Sequence, residues 1–557
     1  MKNTKPDRGR RIVVALLVAA GVYGLRLEAA TQTNELAPGT FTDFRSDVKE
    51  YRELFKLIRS TLDHNAVSFQ GKTGTIYGFA AGAAYPQIWL RDAYTIIPAS
   101  RLFYEAPYLQ SWLEEHLAFQ RDDGSLEDWI DSRGKRDKNT TETDQETSAV
   151  RAAARIARIS GTAWLRKMID GESIIGRLER ALGSVLRSRF DKGHGLVTGA
   201  HTADWGDVDM GREDQRAISI DQRTHWTCDI YDQSEFHGAA LDLAWMLTSD
   251  GQTEKARFWS GQAALIRKNA DRWLWQEERG FYRVHIHLDA LRHDFDEDAM
   301  FAMGGNTEAI LSGLASEDKC RRIIETALTR QKEFSMSTIS GTLLPPYPKG
   351  FFKHPMLDQP YEYQNGGQWD WFGGRLIHAM FEHGFSREAR RKLSEIAGKA
   401  IANRGLFEWD SPAGIGQGSP FYSGSAGSLA EALFEGYFGF KIAKDEWSLE
   451  PKLAEDNAAV HVYYPAAGSF AAYDYRWDGK NTAVAFRYNG NLPNPGKVKI
   501  LVPWLHENGG PIEKLKNVDV RRDGRKIAFL PAVLNGDAFV VVETDFKNHI
   551  LEIRQNR

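Results

Sequence analysis

The chain has 557 residues, which is too long for one ordinary core and predicts one very large domain with a smaller one beside it. Its 71 Lys and Arg nearly balance its 75 Asp and Glu, and the net charge is only −4. This balance gives no basic field for nucleic acid or an anionic membrane surface, and it suits neutral or polar small substrates. The 16 Trp, 19 Tyr and 29 Phe supply rings for core packing and for stacking on sugar faces.

The first thirty residues differ from the rest of the chain. Lysines and arginines at positions 2–11 precede an apolar run at 12–25, and Ala29 and Ala30 are small enough for a cleavage site. A membrane-spanning helix needs roughly 20 apolar residues, so the run is short for that purpose. Residues 1–30 therefore predict a secretory signal peptide and an exported protein, periplasmic or secreted. An uncleaved anchor is the alternative, and only then would the protein contact a membrane.

Twelve segments between residues 44 and 440 carry apolar residues at helical spacing. They are 48–62, 94–103, 108–119, 148–159, 174–187, 235–247, 253–273, 306–314, 319–328, 369–382, 389–401 and 428–437. Long loops rich in Gly and aromatic residues separate them. Such helices pair into hairpins with function-bearing loops at one end, and twelve would close a double-layered α/α toroid.

The sequence changes character after residue 440. Short runs rich in β-branched and aromatic residues occur at 460–464, 483–488, 498–502, 526–530, 539–543 and 550–553. Turn dipeptides such as Asn489-Gly490 and Asn535-Gly536 separate them. They predict a β-sandwich of about a hundred residues without a catalytic constellation. The expected division is a helical catalytic domain at 31–440 and a β domain at 441–557.

Cysteine and histidine offer no recognisable metal site in the sequence. Cys228 and Cys320 are the two cysteines, and two buried thiols are the commoner outcome for residues so far apart, with one disulfide as the alternative. His225, His237 and His354 are scattered without metal-ligand spacing, so structural or substrate-lining roles are expected. We expect no metal and no cofactor.

Residues 201–210 are the strongest candidate for the chemistry. Asp204, Trp205 and Asp207 lie between two helix-forming regions, after glycines that predict an ordered loop. A carboxyl group beside an indole is poorly solvated, which raises its pKa towards the range needed by a general acid. Taken alone, an Asp-x-x-Asp stretch is more often an Asx-turn or a Ca²⁺-like loop.

Two further loops carry polar and aromatic residues suited to sugars. Trp89 precedes Arg91 and Asp92, which would hold sugar hydroxyls beside a flat apolar ring or form an ordinary surface ion pair. The loop 140–146 contains Asp144 and precedes a predicted helix.

Later in the chain, the stretch 361–369 contains Glu362, Asn365 and Trp369. Asn365 could cap the next helix as well as face substrate. The stretch 405–410 contains Glu408 and Trp409. Pairing of a buried Glu408 with Arg404 is the alternative to a catalytic role.

These stretches, in this order, resemble the six-hairpin glycosidases across residues 44–440. Trp-x-Arg-Asp at 89–92 resembles the sugar-holding stretch of glucoamylases and glycogen-debranching enzymes. The Tyr-x-Asn-Gly-Gly-x-Trp at 363–369 is similar to a stretch found in neutral invertases and disaccharide phosphorylases. Residues 405–410, followed by 421–426, resemble the segment that carries the catalytic base in processing glucosidases and neutral invertases.

The resemblance implies a mainly α fold, an (α/α)6 toroid with a small C-terminal β-sandwich. It also implies an exported inverting glycoside hydrolase that acts on α-glucosidic linkages of an oligosaccharide. The acid falls on the 201–210 loop, where Asp207 is favoured and Asp204 remains open, and the base falls on Glu408. Inversion predicts that the two carboxyl groups lie roughly 6.5 to 9.5 Å apart.

The substrate-binding residues expected from these stretches are Trp89, Arg91, Asp92, Asp144, Trp205, Glu362, Asn365, Trp369 and Trp409. A disaccharide phosphorylase is one alternative, although an acidic Glu408 would repel an approaching phosphate. A non-catalytic sugar-binding toroid is the other. No nucleic-acid partner is expected, and the sequence leaves the oligomeric state and the sugar open.

Overall fold

The computed structural model describes residues 36–138, 143–210, 218–442, 447–492, 496–505 and 512–556. The expected signal peptide at 1–30 and residues 140–142 of the 140–146 loop lie outside the described residues. None of the helices in these ranges is both long and apolar enough to cross a membrane.

All twelve predicted helices are present in the described residues, with ends that differ by up to seven residues. They are α1 Lys49–Asn65, α2 Leu90–Ser100, α3 Ala106–Ala118, α4 Gln145–Ser160, α5 Ile174–Ser188, α6 Ile230–Ser249, α7 Thr253–Trp273, α8 Met303–Leu311, α9 Glu317–Glu333, α10 Asp370–Glu382, α11 Ser386–Asn403 and α12 Ser423–Ala430. A π-helix, Glu431–Tyr437, continues α12 within the last predicted segment. Short 3-10 helices lie at Thr162–Arg166, Glu297–Ala299, Pro503–Leu505 and Ile512–Asn517.

The even-numbered helices form a closed ring. α2 packs against α4, α4 against α6, α6 against α8, α8 against α10, α10 against α12, and α12 returns to α2. Every residue of α2 and of α12 is buried, as expected for helices covered on all sides. The outer helix α7 buries only Ala256, Trp259, Ala263, Ile266 and Ala270, whose spacing of three or four residues marks one face.

Seventeen strands of three or more residues lie in the described ranges. They are β1 Asp43–Ser46, β2 Ala66–Gly71, β3 Gly74–Phe79, β4 Trp226–Asp229, β5 His285–His287, β6 Phe407–Asp410, β7 Gly416–Pro420, β8 Phe440–Ile442, β9 Trp447–Leu449, β10 Ala458–Tyr464, β11 Ser469–Asp478, β12 Ala483–Gly490, β13 Gly496–Leu501, β14 Val518–Arg522, β15 Leu530–Leu534, β16 Asp537–Thr544 and β17 His549–Gln555. Two-residue strands lie at Ile88–Trp89, Trp129–Ile130, Arg136–Asp137, Met168–Ile169, Glu172–Ser173, Phe190–Asp191, Leu196–Val197, Gly199–Ala200, Trp275–Gln276, Phe281–Tyr282, Phe301–Ala302, Leu343–Leu344 and Arg525–Lys526.

Two sheets follow the helices. One has the order β1-β10-β11-β12-β17-β14 and ends on Arg525–Lys526, and the other has the order β8-β9-β13-β16-β15. Their facing sides meet through aromatic contacts, because Trp447 lies 5.5 Å from Tyr464 and Phe440 stacks on Tyr473 at 5.3 Å between ring centroids. The N-terminal strand β1 pairs antiparallel with β10. The C-terminal sheet therefore includes residues from the start of the described chain, which the sequence patterns did not indicate.

The two cysteines lie on separate elements of the fold. Cys228, on β4, and Cys320, on α9, are buried free thiols. This confirms the expectation of two thiols rather than a disulfide.

Ring closure between the first and last inner helices depends on a glycine. A Cβ atom added at Gly427 on α12 would lie 2.0 Å from the carbonyl oxygen of Thr95 on α2. At Gly374 on α10, an added Cβ would lie 2.8 Å from the backbone of Ser428. Glycine at these two positions therefore lets the backbones of neighbouring inner helices approach more closely than a residue with a Cβ atom would allow.

Gly427→Ala is expected to lower the apparent melting temperature, because the added methyl group forces α12 away from α2 at a cost of about 1 to 3 kcal/mol. The matched control is Gly398→Ala on the outer helix α11, where an added Cβ meets nothing within 4 Å. This change favours the helix by about 0.5 to 1 kcal/mol and should raise the melting temperature slightly. Equal melting temperatures for the two variants in thermal-shift measurements would contradict the close-packed ring.

Candidate active site

A cavity of about 250 Å³ lies at the N-terminal ends of the inner helices. Its lining residues come from the starts of α2, α4, α10 and α12, from the 201–210 loop, from β6 and from further loops around residues 81–85, 218, 356 and 363–364. They are Ala81, Tyr85, Trp89, Arg91, Asp92, Gln145, Trp205, Asp207, Val208, Ile218, Met356, Tyr363, Gln364, Trp369, Trp371, Glu408 and Tyr422. The structure thus brings together seven of the residues expected from sequence: Trp89, Arg91, Asp92, Trp205, Asp207, Trp369 and Glu408.

Asp207 presents its carboxylate to the cavity. Its side chain is 38% exposed, and its Oδ1 accepts a hydrogen bond of 2.9 Å from Nη1 of Arg91. The Gln364 amide donates to the other oxygen at 2.8 Å and accepts from the Asp207 backbone N–H at 3.1 Å. Asp207 is therefore fixed from two sides and retains access to a ligand.

Glu408 lies on β6, where alternation places Phe407 and Trp409 on the other face. The pairing of β6 with β7 shifts register here, which leaves both Gly418 and Ser419 opposite Glu408. A Cβ at Gly418 would lie 2.5 Å from Oε2 of Glu408, so only glycine leaves room for the carboxylate. This local irregularity leaves room for the Glu408 carboxylate, which lines the cavity.

Hydrogen bonds hold the Glu408 carboxylate in place, and the described residues form no ion pair with it. The Tyr85 hydroxyl lies 3.0 and 3.2 Å from its two oxygens, and the Ser419 N–H donates to Oε2 at 2.9 Å. Burial raises the pKa of Glu408 to about 7, although both of these hydrogen bonds act to lower it. Its partners are Tyr85 and Ser419, so the alternative pairing with Arg404 is wrong.

Arg91 connects the cavity to the ring of helices beneath it. Its guanidinium pairs with Asp144 through Nε and with Asp207 through Nη1, and Nη2 has no hydrogen-bond partner in the described structure. Asp144 is fully buried and accepts a further hydrogen bond from the Tyr231 hydroxyl at 3.2 Å. Asp144 therefore holds Arg91 in position instead of lining the cavity as expected.

Asp92 does not pair with Arg91 on the surface. It is buried, and its Oδ1 accepts a hydrogen bond of 2.8 Å from the Tyr422 hydroxyl. Burial raises the pKa of Asp92 to about 6, against the lowering effect of Tyr422 and Arg91. The interpretation of Arg91 and Asp92 as an ordinary surface ion pair is wrong, because both side chains belong to the cavity.

For Asp204, the raised pKa suits a general acid, but the position of the side chain does not. Burial raises the pKa of Asp204 to about 7, as the sequence argument anticipated for a carboxyl group near an indole. Both of its oxygens, however, accept hydrogen bonds from the first turn of α8, from the N–H of Gly304 at 2.6 Å and of Gly305 at 2.9 Å. The side chain is 1% exposed and lies outside the cavity lining, so it caps α8 and anchors the loop.

Three other expected site residues also lie outside the cavity lining. Glu362 is exposed, and Trp409 lies on the face of β6 opposite to Glu408. Asn365 is buried, and its amide joins Tyr347 to the loop that contains Leu357. Helix α10 begins after Trp369, so Asn365 neither faces the cavity nor caps that helix.

Aromatic rings also line the cavity. Trp205 is buried and its ring centroid lies 4.6 Å from that of Trp369 and 5.1 Å from that of Trp371, in edge-on contacts. Trp89, at the start of α2, lines the cavity and lies 6.1 Å from Trp129. These rings offer apolar surface of the kind that stacks on a sugar ring.

The sequence patterns missed the residues that position the carboxylates. Tyr85, Gln364 and Tyr422 hold Glu408, Asp207 and Asp92, and the sequence patterns assigned a role to none of the three. Gln364 lies inside the stretch 361–369 and Tyr422 inside the stretch 421–426, whereas Tyr85 lies outside all of the recognised stretches. Membership of a recognised stretch was the available signal for Gln364 and Tyr422.

The histidines singled out in the sequence do not form a metal site. His225 pairs with Asp289 at 3.0 Å, and His237 is buried with its Nδ1 at 2.9 Å from the carbonyl oxygen of Ala263. Burial lowers the pKa of His237 to about 4 and that of the half-buried His354 below its usual value. A different group of histidines converges near the 201–210 loop, and sequence reasoning did not identify it.

No protein-family model matches this sequence, and no curated protein matches it at a significant level. Similar solved structures exist. An α-L-rhamnosidase from Dictyoglumus thermophilum superposes with a TM-score of 0.59 at 13% identity, over 93% of this chain and 51% of that one. The GH78 family rhamnosidase of Bacillus sp. GL1 gives 0.57 at 16% identity, over 84% and 43%.

A GH63 mannosylglycerate hydrolase from Thermus thermophilus, in complex with glucose, superposes with a TM-score of 0.51 at 15% identity, over 68% of this chain and 99% of that one. The chain thus spans about half the length of the two rhamnosidases. At these identities the likeness concerns the fold, and the fold is one that glycoside hydrolases with different substrates share.

Proposed function

We propose that this protein is an inverting glycoside hydrolase built on an (α/α)6 toroid with a C-terminal β-sandwich. One observation carries the proposal: Asp207 and Glu408 line the same aromatic-walled cavity, and each is held by its own hydrogen bonds. Glycoside cleavage requires two such carboxyl groups, one for the leaving oxygen and one for the attacking water. The fold shared with a rhamnosidase and a mannosylglycerate hydrolase supports it.

In this mechanism Asp207 donates a proton to the leaving oxygen and Glu408 accepts a proton from the attacking water. Tyr85 and the Ser419 N–H orient the Glu408 carboxylate, and Arg91 orients the Asp207 carboxylate. The roughly 6.5 to 9.5 Å separation that inversion requires stays a prediction. Asp204 is not needed for catalysis, because the first turn of α8 occupies both of its oxygens.

The substrate that fits best is an α-glycoside with one sugar ring enclosed. A cavity of about 250 Å³ lies below the 300 to 1,000 Å³ of typical ligand sites, which favours a single ring. The sequence motifs favour an α-glucoside, and the rhamnosidase fold adds the α-L-rhamnoside. Export through residues 1–30 belongs to the same proposal and is tested by the N-terminal sequence of the mature protein.

A phosphorylase is less favoured by the charges. Among the described residues that line the cavity, Arg91 is the only permanent cation, and Asp144 and Asp207 already neutralise it. A phosphate nucleophile beside Glu408 would therefore meet negative charge.

Purified protein is expected to release free sugar from at least one member of a panel of α-glucosides, α-L-rhamnosides and β-fructosides. Glu408→Gln should reduce kcat by roughly 10² or more, because the amide keeps the shape and removes the base. Free-sugar release measures the activity and its reduction in the variant. NMR of the product anomer shows whether the configuration is inverted. Release of a sugar 1-phosphate that depends on phosphate would favour the phosphorylase, and a product anomer that matches the substrate would exclude inversion.

Asp207→Asn and Asp204→Asn separate the catalytic aspartate from the anchoring one. Asp207→Asn is expected to slow a substrate with a poor leaving group far more than an activated aryl glycoside, because a good leaving group departs without a proton. Asp204→Asn should lower the melting temperature and affect both substrates equally, because it weakens the cap of α8. The opposite pattern, with leaving-group dependence only in Asp204→Asn, would reverse the assignment.

The pH profile tests the role of Glu408. Since a base must be ionised, log kcat/KM should rise with pH until the pH reaches about 7, the raised pKa of Glu408. Above that pH, this ascending limb of the profile should level off. Tyr85→Phe removes a hydrogen bond that lowers this pKa, so the limb should move upward by about 1 unit. Tyr422→Phe, which releases Asp92 instead, should not move it upward. Activity that falls with rising pH through the same range would make Glu408 the acid.

A further inference from the structure

Four histidines and one glutamate converge beside the 201–210 loop, outside the cavity. The Nε2 atoms of His201, His287 and His293 lie 3.1, 2.8 and 3.4 Å from the carboxylate oxygens of Glu297. Nδ1 of His285 lies 3.4 Å from the same carboxylate. One ligand atom from each of His201, His287, His293 and Glu297 falls within 4.8 Å of the others.

The fold brings these residues together from separate parts of the chain. β4 pairs with β5, and alternation along β5 places His285 and His287 on one face. His201 follows Gly199–Ala200, which pairs with the other edge of β4. Glu297 opens a 3-10 helix, four residues after His293. The spacing His-x-His, followed by His-x-x-x-Glu, is present in the sequence. Its proximity to His201 becomes apparent only in the structure.

Hydrogen bonding alone does not account for this arrangement. Nε2 of His293 lies 3.4 Å from Oε1 of Glu297 and makes no hydrogen bond, although the side chain is only 8% exposed. Nδ1 of His201 and Nε2 of His285 are also buried without hydrogen-bond partners. Four protonated imidazoles around one carboxylate would bury excess positive charge at high cost. Neutral imidazoles with one carboxylate instead make a donor set of charge −1.

The distances between the histidine nitrogens and the Glu297 oxygens are close to the distance between two ligand atoms of a zinc ion. For ligand bonds of 2.0 to 2.1 Å, as for zinc, the edge of a tetrahedron is about 3.3 Å. The nitrogens of His201 and His293 lie 3.1 and 3.4 Å from Oε1 of Glu297 and that of His287 lies 2.8 Å from Oε2, all near this value, and the four ligand atoms lie within 4.8 Å of one another. Histidine nitrogen and glutamate oxygen are ordinary zinc ligands.

The surrounding residues support the donor atoms. The Tyr347 hydroxyl lies 2.6 Å from Oε1 of Glu297 and 3.2 Å from Nδ1 of His285. Phe351 stacks on the Tyr347 ring at 4.5 Å between centroids, which shields the cluster on that side. In metalloproteins, residues that contact the ligands in this way orient them towards the metal.

We propose that His201, His287, His293 and Glu297 bind a divalent transition-metal ion, zinc first among them. Because His201 begins the loop that carries Asp204 and Asp207, the ion fixes one end of that loop while Asp204 fixes its middle on α8. The role is structural, and it holds whether or not the protein hydrolyses glycosides.

Metal content of the full, tag-free protein tests the site directly. After incubation with ZnCl₂ and gel filtration, elemental analysis is expected to give about one zinc per chain in the wild type and below about 0.1 in His287→Ala and His293→Ala. His225→Ala, which removes a nearby histidine outside the cluster, should keep the wild-type content. A wild type that retains no Zn²⁺, Mn²⁺, Co²⁺ or Ni²⁺ would overturn the proposal, and so would full retention in both cluster variants.

Thermal stability of the wild type gives a second measurement that does not depend on variants that fold. Treatment with a strong chelator is expected to lower the melting temperature, and zinc should restore it, because a ligand that binds only the native state stabilises it. His225→Ala should respond in the same way. A melting temperature that neither chelation nor added zinc changes, in protein shown to be metal-free after chelation, would contradict a structural metal.

Discussion

The N-terminal ends of six inner helices meet at one end of the ring, and this constraint shapes the candidate site. The starts of α2, α4, α10 and α12 line the cavity directly, and the starts of α6 and α8 hold Asp144 and Asp204 just beneath it. Each helix start carries partial positive charge and free N–H groups. Carboxylates therefore collect here, and the ones that face the cavity are available for chemistry.

The same crowding explains why a raised pKa does not identify the acid. Burial raises the pKa of Asp204, Asp229, Glu235, Glu408 and Asp410 to about 7 in each case. Of these five, only Glu408 lines the cavity. Perturbed carboxyl groups are thus common at this end of the molecule, and access to a ligand decides which of them can act.

The sequence contained enough information for the helices and for half of the site, for physical reasons. Buried and half-buried helices leave an apolar period of about 3.6, which is recognisable without tertiary contacts. The seven cavity residues found in advance lie in stretches with both a charged and an aromatic residue. Tyr85, Gln364 and the β1 strand were missed, because their roles depend on partners up to several hundred residues away. The bulge at Gly418 and Ser419, which aims Glu408, likewise has no local signature.

The two ends of the described chain meet twice, once where α12 packs on α2 and once where β10 pairs with β1. More than three hundred residues separate α2 from α12, so a ribosome that adds 5 to 20 residues per second needs roughly 15 to 65 s to deliver the partner of the first inner helix. Until then, α2, every residue of which is buried in the folded protein, has an open neighbour position. The growing chain therefore spends most of its synthesis as an incomplete arc, and incompletely packed surface of this kind is what makes folding intermediates prone to aggregation.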